Sequence, residues 1–232
     1  MIENLDTAVR LVGIGATLMI MAQMMASDIR LMIKGPLVGA LIGAVGYLVV
    51  SSGARAAFPV INSLTDLVSI STPFFIWLFA RALFERDPDR RVILIAALLL
   101  VAAWVLKHVV PGGANPGFWA TNALSLALVG DLVRVALSKS GVDVVEPRRA
   151  ARRWLALLAA ILTGLILGIE VMEVTTGTQG QYPLASLFTG VAIVVLVLFA
   201  GLVMVRANSA LLIQRNPSPA SEREAAETLD QD

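Results

Sequence analysis

The chain has no cysteine, one histidine, few aromatic residues and few charges. Without cysteine it forms no disulfide framework, no thiolate metal site and no cysteine nucleophile. Charged residues make up 15% of its 232 residues, whereas hydrophobic residues make up 57%. A soluble domain of this length cannot bury so many apolar side chains. We therefore expect a lipid bilayer to solvate most of them.

The apolar residues fall into seven runs, each long enough to cross the hydrocarbon core as a helix of about 20 residues. The period-2 alternation of a membrane barrel is absent. We predict an all-α, polytopic membrane protein whose seven-helix transmembrane domain covers residues 1–206. The predicted spans are residues 8–27, 33–52, 59–84, 91–110, 117–138, 152–174 and 183–206. Residues 207–232 are polar and are predicted to form a disordered cytoplasmic tail.

The basic residues alternate between the two sides of these spans. One side holds 15 of the 18 Lys and Arg residues: Arg30, Lys34, Arg81, Arg86, Arg90, Arg91, Arg134, Lys139, Arg148, Arg149, Arg152, Arg153, Arg206, Arg215 and Arg223. The other side holds Arg10, Arg55 and Lys107. Because short loops rich in Lys and Arg stay in the cytoplasm, we expect the N-terminus outside the inner (plasma) membrane and the C-terminus inside.

Two segments at predicted cytoplasmic helix ends carry a family resemblance. Residues 73–89 read PFFIWLFARALFERDPD, and residues 143–154 read DVVEPRRAARRW. Both resemble segments of the seven-helix N-terminal membrane domain of AraC/XylS-type transcriptional regulators. The resemblance covers residues 1 to about 215 in span number, loop length and orientation. It implies a sensory or regulatory module whose tail points at the cytoplasm, where such regulators carry a helix-turn-helix DNA-binding domain.

The tail departs from that family pattern. Residues 207–232 look like the linker that precedes the DNA-binding domain, and they contain no helix-turn-helix. We therefore expect this chain either to be a stand-alone sensor that has lost its output domain or to act through a membrane or cytoplasmic protein partner. In neither case is direct binding to nucleic acid expected. The basic cluster at residues 148–153 is explained by topology and by contact with anionic lipid head groups.

The third predicted span has one polar face. Asn62, Asp66 and Ser69 recur there at helical spacing. Pro73 removes one backbone hydrogen bond and frees the Ser69 carbonyl, which predicts a kink. The hydroxyls of the two residues before Pro73 can compensate for the lost bond.

The intramembrane charges have two interpretations. A charge near the centre of a span costs at least about 2.5–3.5 kcal/mol, so such charges usually pair. In the first interpretation Arg10 forms an ion pair with Glu173, or with Asp66 or Glu170 at a similar height. In the second, polar side chains line an outward-facing ligand pocket. Its predicted lining is Asn62, Asp66, Ser69, Asn122, Ser125, Glu170 and Thr189.

Three further features have local explanations. Asp131 and Arg134, three residues apart, are predicted to form an ion pair within their helix. His108, the only histidine, is interpreted as filling space at the membrane interface. Small residues let helices approach closely, so glycines at GxxxG spacing predict internal packing, with homodimerisation as the alternative. These glycines are Gly35, Gly39, Gly43, Gly164 and Gly168.

The sequence contains no combination of nucleophile, base and orienting group, no metal cluster and no phosphate loop, so we expect no enzyme and no cofactor or metal. A retinal protein would need a lysine in the last span, and residues 183–205 contain none. A membrane-embedded sensor or regulator is the predicted function. The alternatives are a channel or transporter for a cation or proton, lined by Asp66, Glu170 and Glu173, and an accessory subunit of a larger membrane complex.

Overall fold

The computed structural model describes the backbone of residues 2–27, 31–51, 59–84, 88–137, 146–177 and 183–206. Within these ranges, the description excludes the side chains of residues 3, 59–61, 83, 146–156, 183, 200 and 202–206. The elements in the described part are all α-helices. They are α1 (Ile2–Ala26), α2 (Leu31–Val50), α3 (Pro59–Ile70), α4 (Thr72–Leu83), α5 (Arg90–His108), α6 (Ala114–Leu137), α7 (Glu146–Thr176) and α8 (Pro183–Arg206). The predicted disordered tail at 207–232 lies outside the described residues.

Each helix falls on a predicted span, and α3 and α4 share the third. Six described helical segments are long and apolar enough to cross a membrane by length and composition, and a shorter apolar stretch covers Leu184–Phe199. One of the six, Asn62–Ala82, combines α3 with α4. The chain is therefore helical throughout its described part and is compatible with a helical membrane protein.

The third span is interrupted where the sequence predicts a kink, because α3 ends at Ile70 and α4 begins at Thr72. The Thr72 hydroxyl donates to the Ser69 carbonyl, which Pro73 has deprived of its backbone donor, at 2.7 Å. The Ser71 hydroxyl donates to the Val68 carbonyl at 2.6 Å. Side-chain donors thus replace a missing backbone donor, as a helix in an apolar environment requires.

The helices form a ring with one helix outside it. Around the ring, α1 contacts α2, α2 contacts α3 and α4, α4 contacts α6, α6 contacts α7, α7 contacts α8, and α8 returns to α1. Helix α5 packs on the outside, mainly against α6 and to a smaller extent against α3. A closed ring of this kind surrounds an interior space.

Apolar side chains lie both inside and outside this ring. Trp77, Leu132 and Leu48 are almost completely buried between helices. On the outer surface Leu11 of α1 is 65% exposed and Leu98 of α5 is 67% exposed. A large continuous apolar surface of this kind is unfavourable for a monomer in water, whereas lipid solvates it.

The GxxxG prediction holds for two of its five glycines. A Cβ on Gly39 would lie 2.5 Å from the Phe75 ring, and one on Gly43 would meet the Thr72 hydroxyl, so α2 and α4 approach closely there. A Cβ on Gly35, Gly164 or Gly168 would meet no atom within 4 Å. Internal packing is therefore the wrong explanation for those three, because they face open space instead of a neighbouring helix. Homodimerisation stays a prediction.

Candidate ligand-binding site inside the helix ring

The helices of the ring line a partly open cavity of about 970 Å³. All eight helices contribute to its lining, with α5 represented by Lys107. Small-molecule pockets in proteins typically measure about 300–1,000 Å³. We call the end of the bundle where α1 begins and α2 ends the upper end, and the opposite end the lower end.

Six of the seven predicted pocket residues line this one cavity: Asp66, Ser69, Asn122, Ser125, Glu170 and Thr189. All of them except Glu170 are buried. The seventh, Asn62, lies instead in a smaller pocket beside Lys107 and His108, because its part of α3 faces α5. The structure thus brings most of the predicted set together, while ligand binding by these residues stays a prediction.

Arg10 is buried at the upper end, with only 3% of its surface exposed. Its guanidinium forms an ion pair with Asp6, one helical turn earlier, at 2.8 Å. It also donates to the Leu48 carbonyl at 3.1 Å and to the Ser51 hydroxyl. A further bond goes to the Ser186 hydroxyl at 2.8 Å, so one side chain joins α1, α2 and α8.

The predicted ion pair between Arg10 and Glu173 is therefore wrong. A closer carboxylate on the same helix, Asp6, takes the guanidinium. Glu173 lines the cavity and makes no ion pair with any residue in the described part of the chain.

Asp66 joins α3 to the outer helix α5. Lys107 lies 2.8 Å from its carboxylate, and the Nε2 atom of His108 lies 2.8 Å from the same oxygen. The Trp104 indole of α5 also donates to the Ser63 carbonyl of α3 at 2.9 Å. His108 is thus a partner of a buried carboxylate and not interfacial filling. Lys107 was detectable in the sequence, as one of three cations on the side of the membrane nearer Asp66.

Glu170 has a partner that its sequence position did not reveal. The Tyr47 hydroxyl of α2 donates to its Oε1 atom at 2.5 Å, across the interior from α7. Tyr47, Glu170 and Glu173 all line the cavity. The upper part of the cavity is therefore rich in carboxylates, hydroxyls and amides.

Among the described residues, two buried acceptor atoms of the cavity lining have no hydrogen-bond partner: Oδ1 of Asp6 and Oδ1 of Asn122. The amide of Asn122 donates through Nδ2 to the Phe118 carbonyl at 3.1 Å. Because that carbonyl can only accept, the orientation of the amide is fixed and its oxygen is the atom without a partner. An unsatisfied buried acceptor is costly, so each of these atoms calls for a donor.

The lower part of the cavity is mainly apolar, with the buried Thr163 of α7 as a polar exception. Its lining there consists of side chains such as Leu37, Phe79, Ala80, Leu196 and Val197. These side chains provide no polar groups that could continue the upper polar surface downward. The cavity therefore combines a polar upper part with an apolar lower part.

Below the cavity, Asp131 organises a second polar cluster. The predicted pair with Arg134 is confirmed at 2.7 Å. Arg81 of α4 also reaches the Asp131 carboxylate at 2.6 Å, and the Trp77 indole donates to it at 2.7 Å. The Arg81 guanidinium lies 5.2 Å from the Trp77 ring centre, within cation–π range. Neither Trp77 nor Arg81 was predicted to contact Asp131.

Comparison of the chain with protein-family models, curated proteins and solved structures finds no match.

Proposed function

We propose that this chain is a sensory or regulatory protein of the inner membrane that binds a small ligand in its central cavity and signals to a cytoplasmic partner. In this proposal it has seven spans, with the N-terminus outside and the lower end at the cytoplasm. The observation that carries the proposal is the cavity itself. Its volume would hold a drug-sized ligand, and its lining is partly polar and partly apolar. The side-chain oxygen of buried Asn122 has no hydrogen-bond partner among the described residues.

The charge distribution supports the proposed orientation. Arg81 and Arg134 lie at the lower end, where they share Asp131. Of the cations assigned to the other side of the membrane, Arg10 and Lys107 lie at the upper end and each pairs with a carboxylate. The positive-inside rule then places the lower end in the cytoplasm.

The helices that line the cavity also provide a route for a signal. Helices α4 and α6 both contribute lining residues, among them Ile76 and Ser125. Beyond the cavity the same two helices are joined by Arg81 and Asp131. A ligand that favours one spacing of α4 and α6 would therefore shift the lower end as well, by as much as its affinity for the two states differs.

The apolar lower lining favours a ligand site over a channel. A cation or proton path needs polar groups or water along its whole length. Apolar side chains such as Phe79, Leu196 and Val197 instead line the lower part of the cavity. Asp131 and its partners lie beyond this layer and do not line the cavity. The cavity is thus polar at one end only.

Filling the cavity by substitution tests the coupling without knowledge of the ligand. Ser125→Phe places a ring in the cavity, since Ser125 is 3% exposed and lines it. Leu126→Phe, on the same helix but 50% exposed, is the matched control. Because the chain lacks cysteine, spin labels at Met25→Cys and Leu137→Cys on the lower end can be attached without removing any native thiol.

We expect Ser125→Phe to shift the distance distribution between the two labels, measured by double electron–electron resonance in lipid nanodiscs. Leu126→Phe should leave that distribution unchanged. An identical distribution in both variants, with helicity and elution volume preserved, would contradict the proposed coupling between the cavity and the lower end.

A further inference from the structure

The unsatisfied groups of the cavity are all of one chemical kind. The two buried side-chain atoms without a partner in the described part of the chain, on Asp6 and Asn122, are both acceptors, and both belong to the lining. Every buried side-chain donor among the described residues has a hydrogen-bond partner. A molecule that complements this surface must therefore bring hydrogen-bond donors.

The charges of the lining point the same way. Four described carboxylates and two described cations line the cavity, a formal excess of two negative charges: Asp6, Asp66, Glu170 and Glu173 with Arg10 and Lys107. Both cations already have carboxylate partners, Asp6 and Asp66. Glu173 has no ion pair with a described residue.

Water alone could supply the hydrogen-bond donors that the cavity lacks, but not the positive charge. Water molecules can donate to the free oxygens of Asp6 and Asn122. They carry no net charge, however, and cannot offset the negative excess at Glu173. An anionic ligand would add to the excess. The apolar lining around Leu37 and Val197 in turn favours a hydrocarbon portion on the same molecule.

From these observations we propose that the cavity binds a small amphipathic organic cation that carries N–H donors, of the primary ammonium type. Its charged head lies in the upper part, near Glu173 and the Asn122 oxygen, and its apolar part extends toward the lower part. This inference rests on the proposed function, because it names the ligand class of the same cavity.

Four probes with the same ten-carbon chain separate charge from donor capacity: decylammonium, decyltrimethylammonium, decanoate and 1-decanol. Binding to the full chain in zwitterionic nanodiscs is measured by titration calorimetry, with empty nanodiscs as the reference for partition into lipid. We expect saturable binding of about one decylammonium per chain, weaker binding of decyltrimethylammonium, and no saturable binding of decanoate or 1-decanol.

Two substitutions locate the site. Glu173→Gln should weaken binding of both cationic probes by about tenfold or more, since it removes the charge but keeps the shape. Asn122→Leu should weaken decylammonium by about threefold to tenfold and leave decyltrimethylammonium unchanged, because the latter has no N–H to donate. Asp89→Asn is the matched control, since Asp89 is exposed and lies outside the cavity lining. It should bind like the parent chain.

Several outcomes would overturn the inference. If decanoate bound saturably with an affinity equal to or higher than that of decylammonium, the cavity would still bind a ligand, but the ligand would not be a cation. Binding of decylammonium that neither Glu173→Gln nor Asn122→Leu alters would place it outside this site, and absence of saturable binding by all four probes would exclude this ligand class. The spin-label experiment on Ser125→Phe decides the proposed coupling independently of these results.

Discussion

The clusters around Asp66 and Asp131 have similar composition and different surroundings. Each centres on one carboxylate that joins two helices. Asp66 of α3 receives donors from α5, and Asp131 of α6 receives them from α4 and from its own helix. Asp66 lines open space, whereas Asp131 adjoins Trp77 and Leu132, which are 2% and 1% exposed. We therefore expect a buried ion pair to mark a ligand site only where unfilled volume adjoins it. The same chemistry in packed surroundings organises the bundle.

The largest expected effect is at Asp131. Asp131→Ala leaves Arg81 and the Trp77 indole without their acceptor between packed helices, which should lower the free energy of unfolding by about 3 kcal/mol. Arg134→Ala removes only the pair within α6, whose arginine side chain is 75% exposed. That variant should lose less than about 0.5 kcal/mol. Equal losses, measured by denaturant unfolding in mixed micelles, would show that Arg81 does not depend on Asp131.

A smaller loss is expected at Asp66. Asp66→Asn keeps the shape but removes the charge that Lys107 and His108 share, and water in the adjoining cavity can compensate in part. We expect a loss of about 1–2 kcal/mol, below that of Asp131→Ala. The same unfolding measurement applies. A loss at Asp66 that exceeds the loss at Asp131 would reverse the contrast between the two clusters.

The smallest effect is expected at the kink, which lies between the two clusters on the third span. Thr72→Val is nearly isosteric and removes the donor to the Ser69 carbonyl. It should therefore lower the free energy of unfolding by about 1 kcal/mol. Thr175→Val, which removes a similar hydroxyl bond from an exposed position on α7, should cost close to nothing. If the two substitutions lower the free energy of unfolding equally, the Thr72 hydroxyl does not compensate for the N–H donor that Pro73 lacks.

Sequence reasoning succeeded where the interacting groups are close along the chain. The pair Asp131–Arg134 and the kink at Pro73 depend only on helical spacing and on proline chemistry, and both are present. The same spacing rule would have found the partner of Arg10, because Asp6 is four residues away on one helix. A longer-range partner was predicted instead.

Contacts between helices could not be predicted in this way. Periodicity shows which face of a helix is polar, but not which neighbour that face meets. Asp66 pairs with Lys107 of α5, and Asp131 pairs with Arg81 of α4. The charge pattern narrowed the partners of Asp66 to three cations, but no local spacing selected either pair. Helix ends also differ from the predicted spans: α7 begins at Glu146 and not at 152, because a helix can continue beyond its apolar part.

The ring has a consequence for the order of assembly in the cell. Among the described helices α1 is synthesised before all the others, yet its most extensive neighbour is α8, which is synthesised after them. The bond from Arg10 to Ser186 accordingly joins residues 176 positions apart. Until α8 arrives, Arg10 has no partner from that side and the cavity has no wall there. A nascent chain therefore carries α1 with an incompletely partnered arginine until α8, at the other end of the described helices, has been synthesised.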